Sequence, residues 1–174
     1  MKVKIKVKVL TEGCMPVINP NGDWIDLKAA KDVEIRAAQA GVQYTEDNEK
    51  YRDVHIPVTY IPLGVAMQLP NGYEAIVASR SSGPNKLRLF TPSGQGIIDN
   101  VFNGDKDQWH YVASPMTNTK INKGDRICQF RIQLSQKATM WQKIKWLFSS
   151  GVEFIEVDNL NNSNRGGLGT SGVV

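Results

Sequence analysis

Lysines and aliphatic residues alternate strictly at the start of the chain, with Lys2, Lys4, Lys6 and Lys8 interleaving Val3, Ile5, Val7 and Val9. A period of two places the two sets on opposite faces of an extended backbone, so this segment reads as a half-buried strand with a solvated lysine face. Short runs rich in β-branched and aromatic residues recur at Val54 to Tyr60, Gly64 to Leu69, Tyr73 to Ser79, Ile127 to Leu134 and Val152 to Val157, and each predicts a strand. Asn21-Gly22, Asn71-Gly72 and Asn103-Gly104 supply the positive-φ residues that tight hairpins require. Pro57, Pro62, Pro70, Pro84, Pro92 and Pro115 add turn-like punctuation. Many short strands with turns between them predict an all-β barrel or a jelly-roll-like sandwich.

Three stretches depart from that pattern. Arg36 to Asp53 is polar and weakly periodic, which predicts a surface excursion. Ser135 to Ser150 places Met140, Trp141, Ile144, Leu147 and Phe148 at helical spacing opposite Lys137, Lys143 and Lys145, and Gly151 follows as a natural stop. This is a short amphipathic helix inserted among strands, with its aromatic face expected to pack on the barrel. Residues 161–174 are mostly Asn, Ser and Gly, and predict a mobile arm unless a ligand holds them. The expected organisation is one domain over residues 1–160, with insertions near 36–53 and 135–150, followed by that arm.

Composition narrows the class. With 174 residues, 41% hydrophobic and 22% charged, the chain suits one globular domain and fits neither an intrinsically disordered chain nor a coiled-coil rod. The net charge of +4 is matched by the four lysines of the first strand alone. No basic cluster interleaved with aromatics remains to bind nucleic acid, so no nucleic-acid partner is expected. No apolar run approaches the roughly 20 residues of a membrane span, and the first strand begins without an apolar leader, so no membrane partner is expected. Cys14 and Cys128 lie far apart without a CxxC pair, which fits a reducing, cytoplasmic location.

Candidate chemistry lies in five segments. Asp23-Trp24-Ile25-Asp26-Leu27 offers a carboxylate that could face a hard cation through water. Arg80-Ser81-Ser82-Gly83 sets a guanidinium fork beside hydroxyls, a phosphate contact or a solvated turn. Gly96-Ile97-Ile98-Asp99 ends an apolar run in an acid, which suggests a buried base. Gly124-Asp125-Arg126-Ile127-Cys128-Gln129 opens a strand, and its Asp125 and Arg126 could form a structural ion pair. Gly167-Leu168-Gly169-Thr170-Ser171-Gly172 satisfies G-x-G-x-x-G, yet no helix follows it, so a dinucleotide fold is not expected. With Arg165 before it, the segment could wrap phosphates through backbone N–H groups. His55 and His110 lie at no spacing that suggests a triad or a metal site.

The order of these segments resembles the five motifs of the trimeric dUTPases, over nearly the whole chain and with the style of phage-encoded members. The resemblance implies a jelly-roll-like β-barrel, a homotrimer with sites at its subunit interfaces, and Mg²⁺-dependent hydrolysis of dUTP to dUMP and pyrophosphate. By position it makes Asp99 the base for the attacking water and Asp26 a contact to Mg²⁺ through water. It assigns Arg80, Ser81, Ser82 and Gln129 to the phosphates, with Gln129 from a neighbouring subunit, and gives Asp125 and Arg126 an interface role. A hairpin over about Thr91 to Val101, including Gly96 and Ile98, would read uracil with its backbone. Phe102, where most members have Tyr, would exclude a 2′-hydroxyl. Arg165, Gly167, Leu168, Gly169, Thr170 and Ser171 form the fifth motif, with Leu168 where the family stacks Phe on uracil and Arg165 closer to that position than usual.

Two other readings compete. A dCTP deaminase of the same fold would need a glutamate base in the third-motif region, where Asp99 stands with no Glu close in sequence. A nucleotide-switched protein-binding module would use the two insertions, above all Trp141 and Trp146, to dock a partner.

Overall fold

The computed structural model describes residues 1–37 and 39–166. Strands follow as β1 (Val3–Val9), β2 (Val17–Ile18), β3 (Ile25–Lys28), β4 (Val33–Ile35), β5 (Gln39–Tyr44), β6 (Lys50–His55), β7 (Thr59–Pro62) and β8 (Val65–Gln68). Then come β9 (Tyr73–Ser79), β10 (Leu89–Phe90), β11 (Gly96–Asp99), β12 (His110–Pro115), β13 (Thr119–Ile121) and β14 (Arg126–Leu134). Helix α1 (Met140–Leu147) precedes the last strand, β15 (Val152–Glu156). This is the expected all-β fold with one short helix.

The core follows from the alternation. Val3, Ile5 and Val7 of β1 are buried, whereas Lys2, Lys4 and Lys6 are exposed. β1 lies between β15, to which it runs parallel, and β8, antiparallel to it. A five-stranded sheet in the order β11–β9–β14–β3–β2 carries Ala75, Val77, Phe130 and Leu27 inward. Trp109 meets Phe130 edge-on at 5.3 Å between ring centres, and Phe130 meets Phe154 at 6.3 Å, so one aromatic column ties the two sheets together. A third sheet, β10–β12–β7, brings in Leu89, Tyr111 and Ile61.

Several local expectations are corrected. Of the three Asn-Gly pairs, only Gly72 has positive φ, at 84°, and it joins β8 to β9, which belong to different sheets. The run from Val54 to Tyr60 is not one strand. It breaks at Ile56-Pro57-Val58 because Pro57 has no N–H for a ladder. The surface excursion is a separate two-stranded hairpin, β5–β6, turned with Asn48 at φ 59°.

The helix is shorter than its amphipathic pattern. Thr139 Oγ1 accepts from the Gln142 amide while Gln142 Oε1 accepts from the Thr139 amide, a capping box that starts the helix at Met140. Its aromatic face does not pack on the barrel. Trp141, Leu147 and Phe148 are 74%, 76% and 71% exposed, and Trp146 alone of the helix reaches Tyr73, at 5.5 Å. The helix meets the barrel at the start of β9, where Trp146 packs on Tyr73 and Gln142 Nε2 donates to the Asn71 carbonyl at 2.8 Å.

Candidate active site

Arg80, Asp26, Arg126 and Gln129 come together on one face of the five-stranded sheet. Asp26, on β3, is 3% exposed and is held by two guanidinium groups. Arg80 Nε lies 2.8 Å from Oδ1, and Arg126 Nη1 lies 3.0 Å from Oδ2. Arg126 therefore pairs with Asp26 rather than with Asp125, whose carboxylate instead accepts from the Asn122 amide at 2.8 Å.

A register shift between Arg126 and Cys128 makes this cluster possible. Gln129 faces Asp26 and Arg126 faces Lys28, with Ile127 as the additional residue. In a regular strand, residues three apart point to opposite faces; the bulge reverses that parity and puts Arg126 and Gln129 on Asp26's side. Gln129 Nε2 donates to the Ser79 carbonyl at 3.2 Å. Ser81 is exposed and Ser82 half-buried at the start of a single π-helical turn, Gly83–Leu87, where the Ser82 carbonyl accepts from the Lys86 amide.

The second assembly is a pocket of about 800 Å³ that runs along β11, from Asp99 to Thr91 and Tyr111 beside Ser79. Its walls include Gly96, Ile98, Asp99, Phe102, Tyr111 and Arg165. β11 is an edge strand paired with β9 alone among the described residues, so its outer backbone groups remain available at the pocket. Asp99 is not the buried acid that the apolar run suggested. Its side chain is 52% exposed and pairs with Arg165, Nη1 to Oδ2, at 3.0 Å. Gly167, Leu168, Gly169, Thr170 and Ser171 lie outside the described residues.

The sequence-predicted residues thus fall into two groups. Asp99 sits opposite Glu74 and Cys128 opposite Ser79, which immediately precedes Arg80. Five residues of β9 separate those points, roughly 17 Å at strand rise. Glu74 is close to Asp99 in the fold although distant in sequence; its carboxylate accepts from Gln133 Nε2 at 2.6 Å and does not line the pocket.

Sequence reasoning missed a hydroxyl triad where the pocket wall comes nearest to the guanidinium cluster. Tyr111 OH lies 2.6 Å from Ser79 Oγ and 2.9 Å from Thr91 Oγ1. Burial pushes the Tyr111 phenol above its ordinary value, and the Ser79 and Thr91 hydrogen bonds only partly oppose this, so it stays protonated. Burial likewise pushes the Cys128 thiol well up, with the Asp26 charge adding to the effect, so it is no nucleophile. Asp107 and Trp109 were also missed, because an isolated Asp or Trp in a turn-rich stretch carries no periodic signal.

The donor set does not form a metal cage. Among the described residues, no three His, Cys, Asp or Glu side chains converge, and both Asp26 oxygens are engaged by arginines. Asp26→Asn should therefore act first on the fold. It leaves two guanidinium groups facing a neutral amide, and because these are 24% and 48% exposed the expected loss is only about 1–3 kcal/mol. Thermal unfolding checks this; an unchanged Tm would show that the pairs contribute nothing.

Comparison with known proteins agrees with this architecture. A family model described as dUTPase matches residues 53–171. An SPbeta prophage-derived deoxyuridine 5′-triphosphate nucleotidohydrolase of Bacillus subtilis is 41% identical over 172 residues, covering 98% of this chain and 99% of that protein. The dUTPase of Streptococcus mutans superposes with a TM-score of 0.58 at 21% identity, over 74% of this chain and 91% of that one. The dUTPase of phage phi11 of S. aureus does so with 0.57 at 19% identity, over 78% and 93%. The structural likenesses concern the fold. The family model and the near full-length prophage relative carry more, and on them this chain belongs to the dUTPase family.

Proposed function

We propose that the protein hydrolyses dUTP to dUMP and pyrophosphate at sites built from more than one copy of the chain. The observation that carries the composite site is the separation along β9. The acid Asp99 stands opposite Glu74 near one end, and the guanidinium cluster that would hold a triphosphate follows Ser79 at the other. Within one chain the acid and the arginine cluster are therefore too far apart to act on the same α-phosphorus. A homotrimer that brings the first end of one subunit to the second end of the next would supply both.

In this reading the β11 edge presents backbone donors and acceptors to uracil, as a pairing strand would. Phe102 packs beneath the deoxyribose and denies space to a 2′-hydroxyl. Arg80, Ser81, Ser82 and Gln129 contact the phosphates of the neighbouring site, and the residues from Gly167 to Ser171 close over them. Asp99 orients the attacking water and takes its proton during in-line attack on the α-phosphorus. The Arg165–Asp99 ion pair is half-exposed on both sides and contributes only about 0.2–1 kcal/mol, so a triphosphate can readily draw Arg165 away and free the carboxylate.

Magnesium would enter as the magnesium–nucleotide complex and neutralise triphosphate charge, since among the described residues no cage of acidic, His or Cys side chains converges. Asp26 would meet its water shell only after Arg80 or Arg126 turns towards phosphate. A related phage phi11 dUTPase coordinates a structural Mg(II) ion. A dCTP deaminase reading is weaker, because no glutamate lines the pocket.

The test is pyrophosphate release from purified protein with Mg²⁺ and dUTP, dTTP, dCTP or UTP. Release from dUTP alone is expected, and equal release from dTTP would sink the reading. Phe102→Ala should raise turnover of UTP relative to dUTP by about tenfold, the scale of a lost steric filter; an unchanged ratio would remove Phe102 from sugar selection.

A further inference from the structure

Asp107 has no part in the five motifs, yet it is a 2% exposed carboxylate beside the pocket. Its Oδ2 accepts from the Gly104 amide at 2.8 Å, and both of its oxygens accept from the Arg165 amide, at 3.1 and 3.0 Å. Buried acids are retained only where such donors satisfy them. Here the donors are one turn and the residue whose guanidinium reaches Asp99.

The neighbouring contacts converge on the same segment. The Lys106 amide donates to Asn164 Oδ1 at 2.7 Å, and Asn162 Nδ2 donates to the Asn103 carbonyl at 3.3 Å. Asp105 accepts from the Leu160 amide at 2.9 Å and from Lys8 at 3.0 Å, and these hold its carboxyl below its ordinary value, the Leu160 amide foremost. Gly104 is required by closeness rather than by φ: a Cβ there would lie 2.6 Å from the Asn164 Cα and 2.8 Å from its N.

We propose that Asp107 is a positioning residue for Arg165. It fixes the backbone from which the arginine side chain extends, so that the guanidinium stands at the pocket mouth, opposite Asp99, ready for transfer to an incoming triphosphate. Arg165 stands only three residues before Leu168, and the carboxylate at its root sets its direction where a longer tether would leave it free. This role rests on the dUTP-hydrolase reading of the same pocket.

Asp107→Asn keeps the volume but replaces one accepting oxygen with a donor that faces an N–H. The expected result is a loss in kcat/KM for dUTP of about tenfold or more, the scale of a lost charged hydrogen bond. In an Arg165→Ala background the same change should cost no more than about twofold, because the side chain that it positions is gone. Limited trypsin should release Gly166–Val174 about tenfold faster from Asp107→Asn than from the wild type, a readout independent of activity. Gly104→Ala, which pushes on Asn164 from the other side, should reproduce both effects if Asp107→Asn folds poorly. Equal losses in both backgrounds, or unchanged release of that peptide, would overturn the role while leaving an active hydrolase. A wild type that releases pyrophosphate from no nucleotide would remove the hydrolase reading, and this role with it.

Discussion

Asp99→Asn is expected to lower dUTP turnover by about 10²–10⁴-fold while leaving nucleotide affinity within a few-fold of the wild type. The substitution keeps the shape of the group at the end of β11 and its place in the pocket wall, and removes only its capacity to take a proton. Folding should be little affected, because the Asp99 side chain is 52% exposed and its pair with Arg165 is an exposed one. Pyrophosphate release under saturating dUTP, together with calorimetric titration of a non-hydrolysable analogue, separates the two effects. Turnover within a few-fold of wild type would show that another group activates the water. Loss of binding in parallel with turnover would make Asp99 a substrate-holding residue instead.

The second large effect concerns assembly. Arg80→Ala should also be nearly inactive, since it removes one of the two guanidinium groups at the opposite end of β9 from Asp99. If each site takes its acid from one chain and its arginine from another, co-expressing Asp99→Asn with Arg80→Ala recreates sites in which both halves are wild type. Random assortment in a head-to-tail ring makes this about a quarter of all sites, so activity should rise from near zero in either parent to about a quarter of wild type. A mixture as inactive as its parents would place the acid and the arginine of each site in the same chain. This outcome would contradict the composite site without touching the assignment of Asp99.

Much of the framework was legible because it depends on short-range periodicity. The β1 alternation and the β9 run, Tyr73–Ser79, are statements about which face of an extended backbone each side chain occupies, and the structure places both strands there. The amphipathic helix was legible as an element but not in its packing. Helical spacing shows that Trp141, Leu147 and Phe148 share a side, whereas the room left by the neighbouring strands decides whether that side is covered. The Asn-Gly pairs misled for a similar reason. The dipeptide allows a tight hairpin, but the pairing of β8 with β1 and of β9 with β14 makes Asn71-Gly72 a corner between sheets.

The chemistry divides along the same line. From the order of its segments the chain announced an all-β dUTPase-like protein and named Asp99, Asp26, Arg80 and Gln129 as the groups to watch. Tertiary structure alone decided that Asp26 is buried between two arginines, that a bulge in β14 turns Arg126 towards it, and that Asp107 holds the root of Arg165. Asp26 and Arg126 are 100 residues apart, and Arg165 is 66 from Asp99 and 58 from Asp107. Local patterning reports which face of its own strand or helix a residue occupies. Which distant strand that face meets, and in what register, is set by the whole barrel closing at once, because a one-residue slip anywhere in β14 would turn Gln129 inward and send Phe130 out.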